Sequence, residues 1–142
     1  MESFGEESFR STIQARLADV HERLGERAAA EAAIEFSNRL SADEDVVNPI
    51  ITHQVRARLA LADGDLDAAE RWARSAVEKA FQTEFVDDQA RSRYELARVL
   101  AASGRVEEAR SEAHAAGERF AAKGDLPGVR TAEALLEQFA QR

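Results

Sequence analysis

The sequence predicts an all-α fold, an α-solenoid of three helix-turn-helix repeats followed by a C-terminal capping helix. Three observations support this prediction. Glycines recur at a nearly fixed spacing, apolar residues follow a helical period, and alanine is abundant while the 142 residues include only two prolines. No stretch of six residues alternates between apolar and polar side chains, so we expect no β-sheet.

The repeat is marked by four glycines, Gly25, Gly64, Gly104 and Gly124, of which the first three are almost evenly spaced. Each glycine is followed by a short polar step and the start of a helix, as in "GDLDAAERWARSAVEKA" and "GRVEEARSEAHAAGERF". Because the last interval is half as long as the others, one helix with its turn fills half a period, and the repeating unit is a pair of helices. Glycine suits such a tight turn because it adopts positive φ without a Cβ clash.

These signals predict about seven helices in a single domain, 1–142. We expect the helices near residues 4–24, 27–41, 49–62, 66–81, 84–103, 106–123 and 126–140. The repeats then span 4–41, 49–81 and 84–123, and the capping helix spans 126–140.

Residues typical of helix starts agree with these positions. Asp65 and Asp125 are placed to cap the fourth and seventh helices, and Asn48, which a proline follows, to cap the third. Ser3 and Glu6 have the spacing of a capping box for the first helix.

Apolar and small residues recur at positions that indicate helix packing. An alanine stands five residues after each of the first three glycines, where we expect the two helices of a pair to touch. These alanines are Ala30, Ala69 and Ala109. Apolar residues with helical spacing are Ile13, Leu17, Val20 and Leu24 in the first helix, Leu96, Val99 and Leu100 in the fifth, and Val129, Ala132, Leu135, Leu136 and Phe139 in the last.

The composition excludes several classes of function. The net charge is −8, which would repel the phosphates of a nucleic acid, and without cysteine there is no disulfide or thiolate site. The apolar runs are too short to span a membrane, and the acidic N-terminus has no signal-peptide core, so we expect a cytoplasmic chain. His21, His53 and His114 lie far apart, and no phosphate-binding glycine motif is present. We therefore expect no cofactor, no metal and no enzymatic activity.

The segments "ALADGDLDAAERWARSA" and "VLAASGRVEEARSEAHA" resemble tetratricopeptide repeats. The period of this chain is longer than the roughly 34 residues usual in that family. Nearly the whole chain, including "DEDVVNP" and "RFAAKGDLPGVRTAEALL", is similar to the C-terminal repeat region of large bacterial signalling ATPases. Those proteins often carry a cyclase-like or a DNA-binding domain elsewhere. The resemblance implies a sensory or scaffolding module that binds a protein or peptide, and it carries over none of the ATPase or cyclase activity.

In that family the first helices of successive pairs line a concave face that binds peptides. Position by position, the resemblance places five residues of this chain there: Gln54, Arg58, Arg91, Tyr94 and Arg98. The arginines form a local basic strip that could hold a carboxylate or an acidic segment. The alternative is that they pair with acids on adjacent helices, and the candidate acids are Glu70, Glu78, Asp87 and Glu95.

A second reading of the chain is an assembly module that self-associates through the ends of its helix stack. Phe4 and Phe9 at one end and Phe139 at the other are the side chains expected to drive it. The single tryptophan, Trp72, is either an exposed interface anchor or, as we favour, a wedge between repeats.

Overall fold

The computed structural model describes residues 4–40 and 47–140, and side chains from Arg10 to Leu40 and from Asn48 to Ala140. Every regular element in these ranges is a helix, which confirms the all-α prediction. The helices are α1 (Phe4–Arg23), α2 (Arg27–Leu40), α3 (Val47–Ala62), α4 (Leu66–Ala80), α5 (Val86–Ala102), α6 (Val106–Lys123) and α7 (Leu126–Ala140). None of these helices is long and apolar enough to cross a membrane.

The four glycines occupy the turns, as predicted. Gly25, Gly64, Gly104 and Gly124 all have φ of +78° or +79°, the left-handed region that a side chain would disfavour. At each glycine the following amide bonds back to a carbonyl in the preceding helix, as Asp65 N does to Ala60 O at 3.0 Å. The chain therefore reverses within a few residues, and consecutive helices lie side by side.

Two of the predicted helix caps are confirmed. Asp65 Oδ1 accepts a hydrogen bond from Ala68 N at 3.1 Å at the start of α4, and Asp125 Oδ1 accepts one from Gly128 N at 2.9 Å at the start of α7. The capping box of Ser3 and Glu6 falls outside the residues whose side chains are described.

The cap predicted for α3 is wrong. The helix begins at Val47, so Asn48 lies inside its first turn. The Asn48 side chain is buried and its Nδ2 donates to Ser11 Oγ of α1 at 2.8 Å. Asn48 thus links α3 to α1 instead of capping the start of α3. This role depends on tertiary contacts, which the local sequence does not reveal.

The helices pack in the order of the chain, with α1 against α2, α3 against α4, α5 against α6, and α7 against α6. The first helices of the pairs also touch one another, α1 with α3 and α3 with α5. Much of the interface is alanine: Ala30, Ala69 and Ala109, the predicted contact points, are fully buried. Alanine allows the helix backbones to approach closely, so a wider side chain at these positions would overpack the interface.

The apolar stripe of α1 faces solvent. Its helical spacing correctly predicts a helix, but among the α1 residues whose side chains are described the buried ones are Ser11, Ala15 and Ala18, on a different face. The stripe residues Ile13, Leu17, Val20 and Leu24 are 42%, 39%, 49% and 67% exposed. Periodicity alone identifies a helix without telling which of its faces a neighbour covers.

The C-terminal helix closes the other end of the core. Ala132, Leu135 and Phe139 are buried in it, so the prediction that Phe139 lies exposed at the chain end is wrong. Gly128 of α7 lies directly against the Phe120 ring of α6, where an added Cβ would come within 2.3 Å of Cδ1. The residue is glycine here because the ring leaves no room for a side chain.

Candidate functional site

A cavity of about 510 Å³ lies on the face where the first helices of the pairs meet. We call it the inner cavity. Its walls come from the end of α1, from the middle of α3 and α5, and from the start of α7, with Phe120 of α6 at one side. Its position follows from the pairing of the helices, because each second helix lies behind its first helix and leaves this face open.

The five residues that the resemblance placed on the concave face all line the inner cavity: Gln54, Arg58, Arg91, Tyr94 and Arg98. They come together from α3 and α5, two helices that lie one repeat apart in the sequence. Their roles differ, because two of them are buried and bonded within the protein while three reach the cavity surface.

Arg58 is buried, with only 7% of its surface exposed. Its guanidinium pairs with Asp19 and Glu22 of α1, and its Nη1 lies 3.5 Å from Glu95 Oε1 of α5. Burial works against its charge, but Glu95, Glu22 and Asp19 more than offset that effect and raise the pKa of Arg58. Arg58 therefore holds α1, α3 and α5 together from the floor of the cavity, where its Nη1 is buried and makes no hydrogen bond to a described residue.

Glu95 shares in this network from α5. The carboxyl is almost fully buried, and burial raises its pKa although Arg58 and Arg98 lower it. Arg98 Nη1 lies 3.2 Å from Glu95 Oε2. Because Arg58 also has two carboxylates on α1, its charge stays compensated whichever protonation state Glu95 takes.

Gln54 fixes the spacing between α3 and α5. The side chain is buried, and its Nε2 donates to Ser92 Oγ at 2.8 Å. Like Arg58, Gln54 orders the wall of the cavity from inside.

On α5 the accessible wall of the cavity is formed by two guanidinium groups, Arg91 and Arg98, and by the phenol of Tyr94. No ion pair joins Arg91 to another described residue, and the Arg98 side chain is 38% exposed although it contacts Glu95. Tyr94 is half-buried, and burial raises the pKa of its phenol, which therefore remains a hydrogen-bond donor at neutral pH.

Arg23 also lines the cavity, and sequence reasoning missed it. It lies on α1, where the side chain is 52% exposed and its Nε lies 3.1 Å from Asp19 Oδ1. The repeat register gave no signal for it, because the positions equivalent to Arg23 in α3 and α5 are Ala62 and Ala102. Extending the strip from Arg58 back by one repeat reaches Asp19 instead.

The opposite wall is less polar. Phe120, Pro127 and Gly128 contribute apolar surface, Thr131 adds a hydroxyl, and Asp125 adds a carboxylate. The cavity therefore combines exposed guanidinium groups on one side with a small apolar wall on the other, an arrangement that suits a peptide carrying both an acidic and an apolar side chain.

Trp72 lies away from the cavity. It is partly buried against the core, its ring makes an edge contact of 4.8 Å with His53, and the Arg56 guanidinium lies 5.0 Å above it. Both partners belong to α3, so Trp72 packs within its own helix pair, although it also borders a shallow groove with residues of α2 such as Glu35.

Among the described residues, no three histidine, aspartate or glutamate side chains are grouped so as to hold a metal ion. Three acids line the cavity: Glu22, Glu95 and Asp125. Arg58 forms ion pairs with Glu22 and Glu95, and Arg98 forms one with Glu95.

Comparison with known proteins agrees with the helix pairs. The family model described as tetratricopeptide repeat matches residues 53–75 and 90–115. The first match runs from α3 into α4 and the second from α5 into α6, each across one of the glycine turns. No significant match was found among curated proteins or solved structures. The α3–α4 and α5–α6 pairs therefore match the tetratricopeptide repeat pattern, in an all-α stack of seven described helices.

Proposed function

We propose that this chain is a non-enzymatic module that binds a segment of a protein partner in the inner cavity, and that the segment is acidic. Tetratricopeptide repeats generally mediate protein–protein interaction, which supports the class of function. The observation that carries the proposal is that Arg23, Arg91 and Arg98 surround one cavity in a protein of net charge −8.

The electrostatics favour a carboxylate over a cation in this cavity. Most of the surface would repel an acidic segment, so an acidic ligand is attracted only where arginines are concentrated. Guanidinium groups bind carboxylates in bidentate fashion, which gives orientation as well as affinity. Arg91 is the best placed of the three, because it pairs with no other described residue.

The preorganisation of the cavity supports binding without a large rearrangement. Arg58 and Gln54 lock the spacing of the first helices through ion pairs and a hydrogen bond that are already formed. A ligand then pays little to order the wall it contacts, so even a short segment can bind usefully.

For the biological setting we propose a cytoplasmic, sensory or scaffolding role in a bacterial signalling system. The similarity of the sequence to the repeat regions of large signalling ATPases supports this setting. In such a role the module would recruit a partner and leave chemistry to other proteins.

Selection from a random peptide display library tests the proposal. The baits are the wild-type chain, the variant Arg91→Glu/Arg98→Glu, and a control variant Arg71→Glu/Arg130→Glu. The control makes the same change in net charge at exposed arginines that do not line the cavity. We expect the wild type and the control to enrich the same peptides, rich in Asp and Glu, and the cavity variant to lose them.

Two results would contradict the proposal. One is enrichment of the same acidic peptides by the cavity variant, which would place the site elsewhere. The other is enrichment of peptides without acidic residues, which would show that the arginines of the cavity do not select the ligand.

A further inference from the structure

The stripe of α1 holds most of the exposed large apolar side chains of the described chain. Seven large apolar side chains are exposed in the described ranges, and four of them are Ile13, Leu17, Val20 and Leu24. The inner cavity does not include any of the four. The stripe is thus a second surface, separate from the proposed peptide site.

The spacing of these residues is that of a coiled-coil seam. They follow one another by four, three and four residues, the alternation of a and d positions in a heptad. Such a narrow stripe of long aliphatic side chains packs best against another stripe of the same kind, with knobs from each helix entering holes on the other.

The internal repeat shows that the stripe occupies a face which is covered elsewhere in the stack. Aligned on the turn glycines, the four positions correspond to Thr52, Arg56, Leu59 and Asp63 at α3 and to Ser92, Leu96, Val99 and Ser103 at α5. The last position of each set, like Leu24 after α1, directly follows its helix. Thr52, Leu59, Ser92, Leu96 and Val99 are buried there. In α3 and α5 only one or two of the four residues are aliphatic, whereas in α1 all four are.

The exposed stripe of α1 is therefore more apolar than the equivalent positions of α3 and α5, most of which the stack buries. Placement of α1 in the first described repeat explains why this face is accessible, but it does not explain four aliphatic residues. A partner with an equally aliphatic stripe does explain them.

We infer that α1 of a second copy of this chain covers the stripe, in an antiparallel pair with two-fold symmetry. A symmetric pair centred between Leu17 and Val20 brings Ile13 of one copy against Leu24 of the other, and Leu17 against Val20. Every stripe residue then meets another stripe residue, so the surface is complementary to itself, as an isologous interface requires.

The opposite end of the stack does not offer such a partner surface. The buried residues of α7 all face its own core, and Arg130, Glu133 and Glu137 are among its exposed residues. A head-to-tail contact of α1 with α7 of another copy would bury these charges. The pair therefore closes as a dimer and does not grow into a filament.

The charges beside the stripe predict how salt acts on the dimer. Arg16 and Arg23 lie along one edge of the stripe, and two-fold symmetry places the same edge of the partner next to them. Asp19 pairs with Arg23 in each copy and reduces the repulsion. Added salt screens what remains, so the dimer should tighten as salt rises from about 0.05 M to about 0.5 M.

Sedimentation equilibrium of the full chain measures this dimer directly. We expect the wild type to dimerise, the variant Leu17→Glu/Val20→Glu to bind its own copy at least about tenfold more weakly, and the control Leu126→Glu to dimerise like the wild type. Leu126 is a matched control because it is 62% exposed at the other end of the chain. Circular dichroism verifies that each variant keeps its helices.

A cysteine cross-link gives a second readout that does not depend on a destabilising charge. The chain has no cysteine, so Leu17→Cys introduces a single thiol near the two-fold axis. We expect mild oxidation to produce a covalent dimer from Leu17→Cys and little from Leu126→Cys. A wild type that stays monomeric at its highest soluble concentration, a dimer that survives Leu17→Glu/Val20→Glu, or equal cross-linking of the two cysteine variants would overturn the assignment.

Discussion

Arg58 shows how one buried charge joins the first helices of the three pairs, α1, α3 and α5, at the inner cavity. Its guanidinium contacts carboxylates of two other helices, and it is itself nearly inaccessible. Buried ion pairs contribute little net stability compared with an apolar core, but removing one partner leaves the others uncompensated.

Replacement of Arg58 by methionine should therefore destabilise the fold. The change leaves Glu95 buried without its main cation, and we expect a loss of about 3 kcal/mol in the free energy of unfolding. Urea denaturation measures the loss. Arg91→Met is the control, because Arg91 is exposed and forms no ion pair with another described residue, and it should change stability by less than about 0.5 kcal/mol. Equal effects of the two substitutions would show that the Arg58 network does not support the stack.

His53 predicts how stability depends on pH. Burial, followed by the charges of Lys79 and Arg56, lowers its pKa to about 4, and its Nδ1 lies 2.9 Å from Ser75 Oγ. The folded state thus binds a proton less readily than the unfolded chain, whose histidine titrates near 6.5. The contribution is fully present above about pH 6.5 and is lost as the pH falls toward 4.

We expect this loss to amount to about 1–2 kcal/mol, allowing for the partial exposure of the ring. The measurement is the free energy of unfolding of the wild type, His53→Gln and His114→Gln across that pH range. Stability of the wild type and of His114→Gln should fall more steeply with acid than that of His53→Gln, because His114 is exposed. Parallel curves for all three proteins would refute the role of His53.

At the level of single residues, the sequence predicted five residues that line the inner cavity, but it did not predict which ion pairs they form. Arg58 and Arg98 occupy equivalent positions in successive repeats, and the equivalent position one repeat earlier is Asp19. Asp19 is one of the residues that pair with Arg58, so aligning the repeats already placed an acid and an arginine at equivalent positions of α1 and α3. Deciding that Arg58 turns inward, however, requires the distance between α1 and α3, which no local pattern contains.

At the level of elements the helix ends followed from local chemistry. Turn glycines and the capping aspartates act within a few residues, so their effects can be deduced without the tertiary structure. The start of α3 and the exposed face of α1 could not be deduced, because each depends on which neighbouring helix is present. Asn48 and the α1 stripe are the clearest examples.

Two glycines within helices give opposite predictions for substitution by alanine. Gly128→Ala forces a Cβ into the Phe120 ring and should destabilise the chain by about 1–3 kcal/mol. Gly117 of α6 has room, since its Cβ would lie 3.5 Å from Ala132 Cβ, and Gly117→Ala should stabilise the helix by about 0.5–1 kcal/mol. Thermal unfolding of both variants measures the difference. A lower midpoint for Gly117→Ala than for Gly128→Ala would contradict the packing of α6 and α7.

At the level of the whole molecule, the cavity is a consequence of repetition. No single helix contains it, and the first helix of each pair contributes one wall because the pairs stack in the same orientation. Repeat proteins build extended binding surfaces in this way. The repeat was visible in the sequence, so the general location of the site was predictable, whereas the apolar wall from α6 and α7 was not.

The same stack separates two surfaces with different chemistry. The inner cavity is polar and positively charged, and the α1 stripe is aliphatic and lies at the N-terminal end. A dimer formed through α1 would carry two inner cavities and could bind a partner with two acidic segments more tightly than one with a single segment.

The most direct test of the central claim is an NMR titration of the ¹⁵N-labelled chain with an acidic peptide obtained from the display selection. We expect the chemical shift changes to concentrate at residues lining the inner cavity, with those of Arg91, Tyr94, Arg98 and Thr131 among the largest. Changes centred on the α1 stripe, or on the outer surfaces of α4 and α6, would contradict it and would move the binding site away from the cavity.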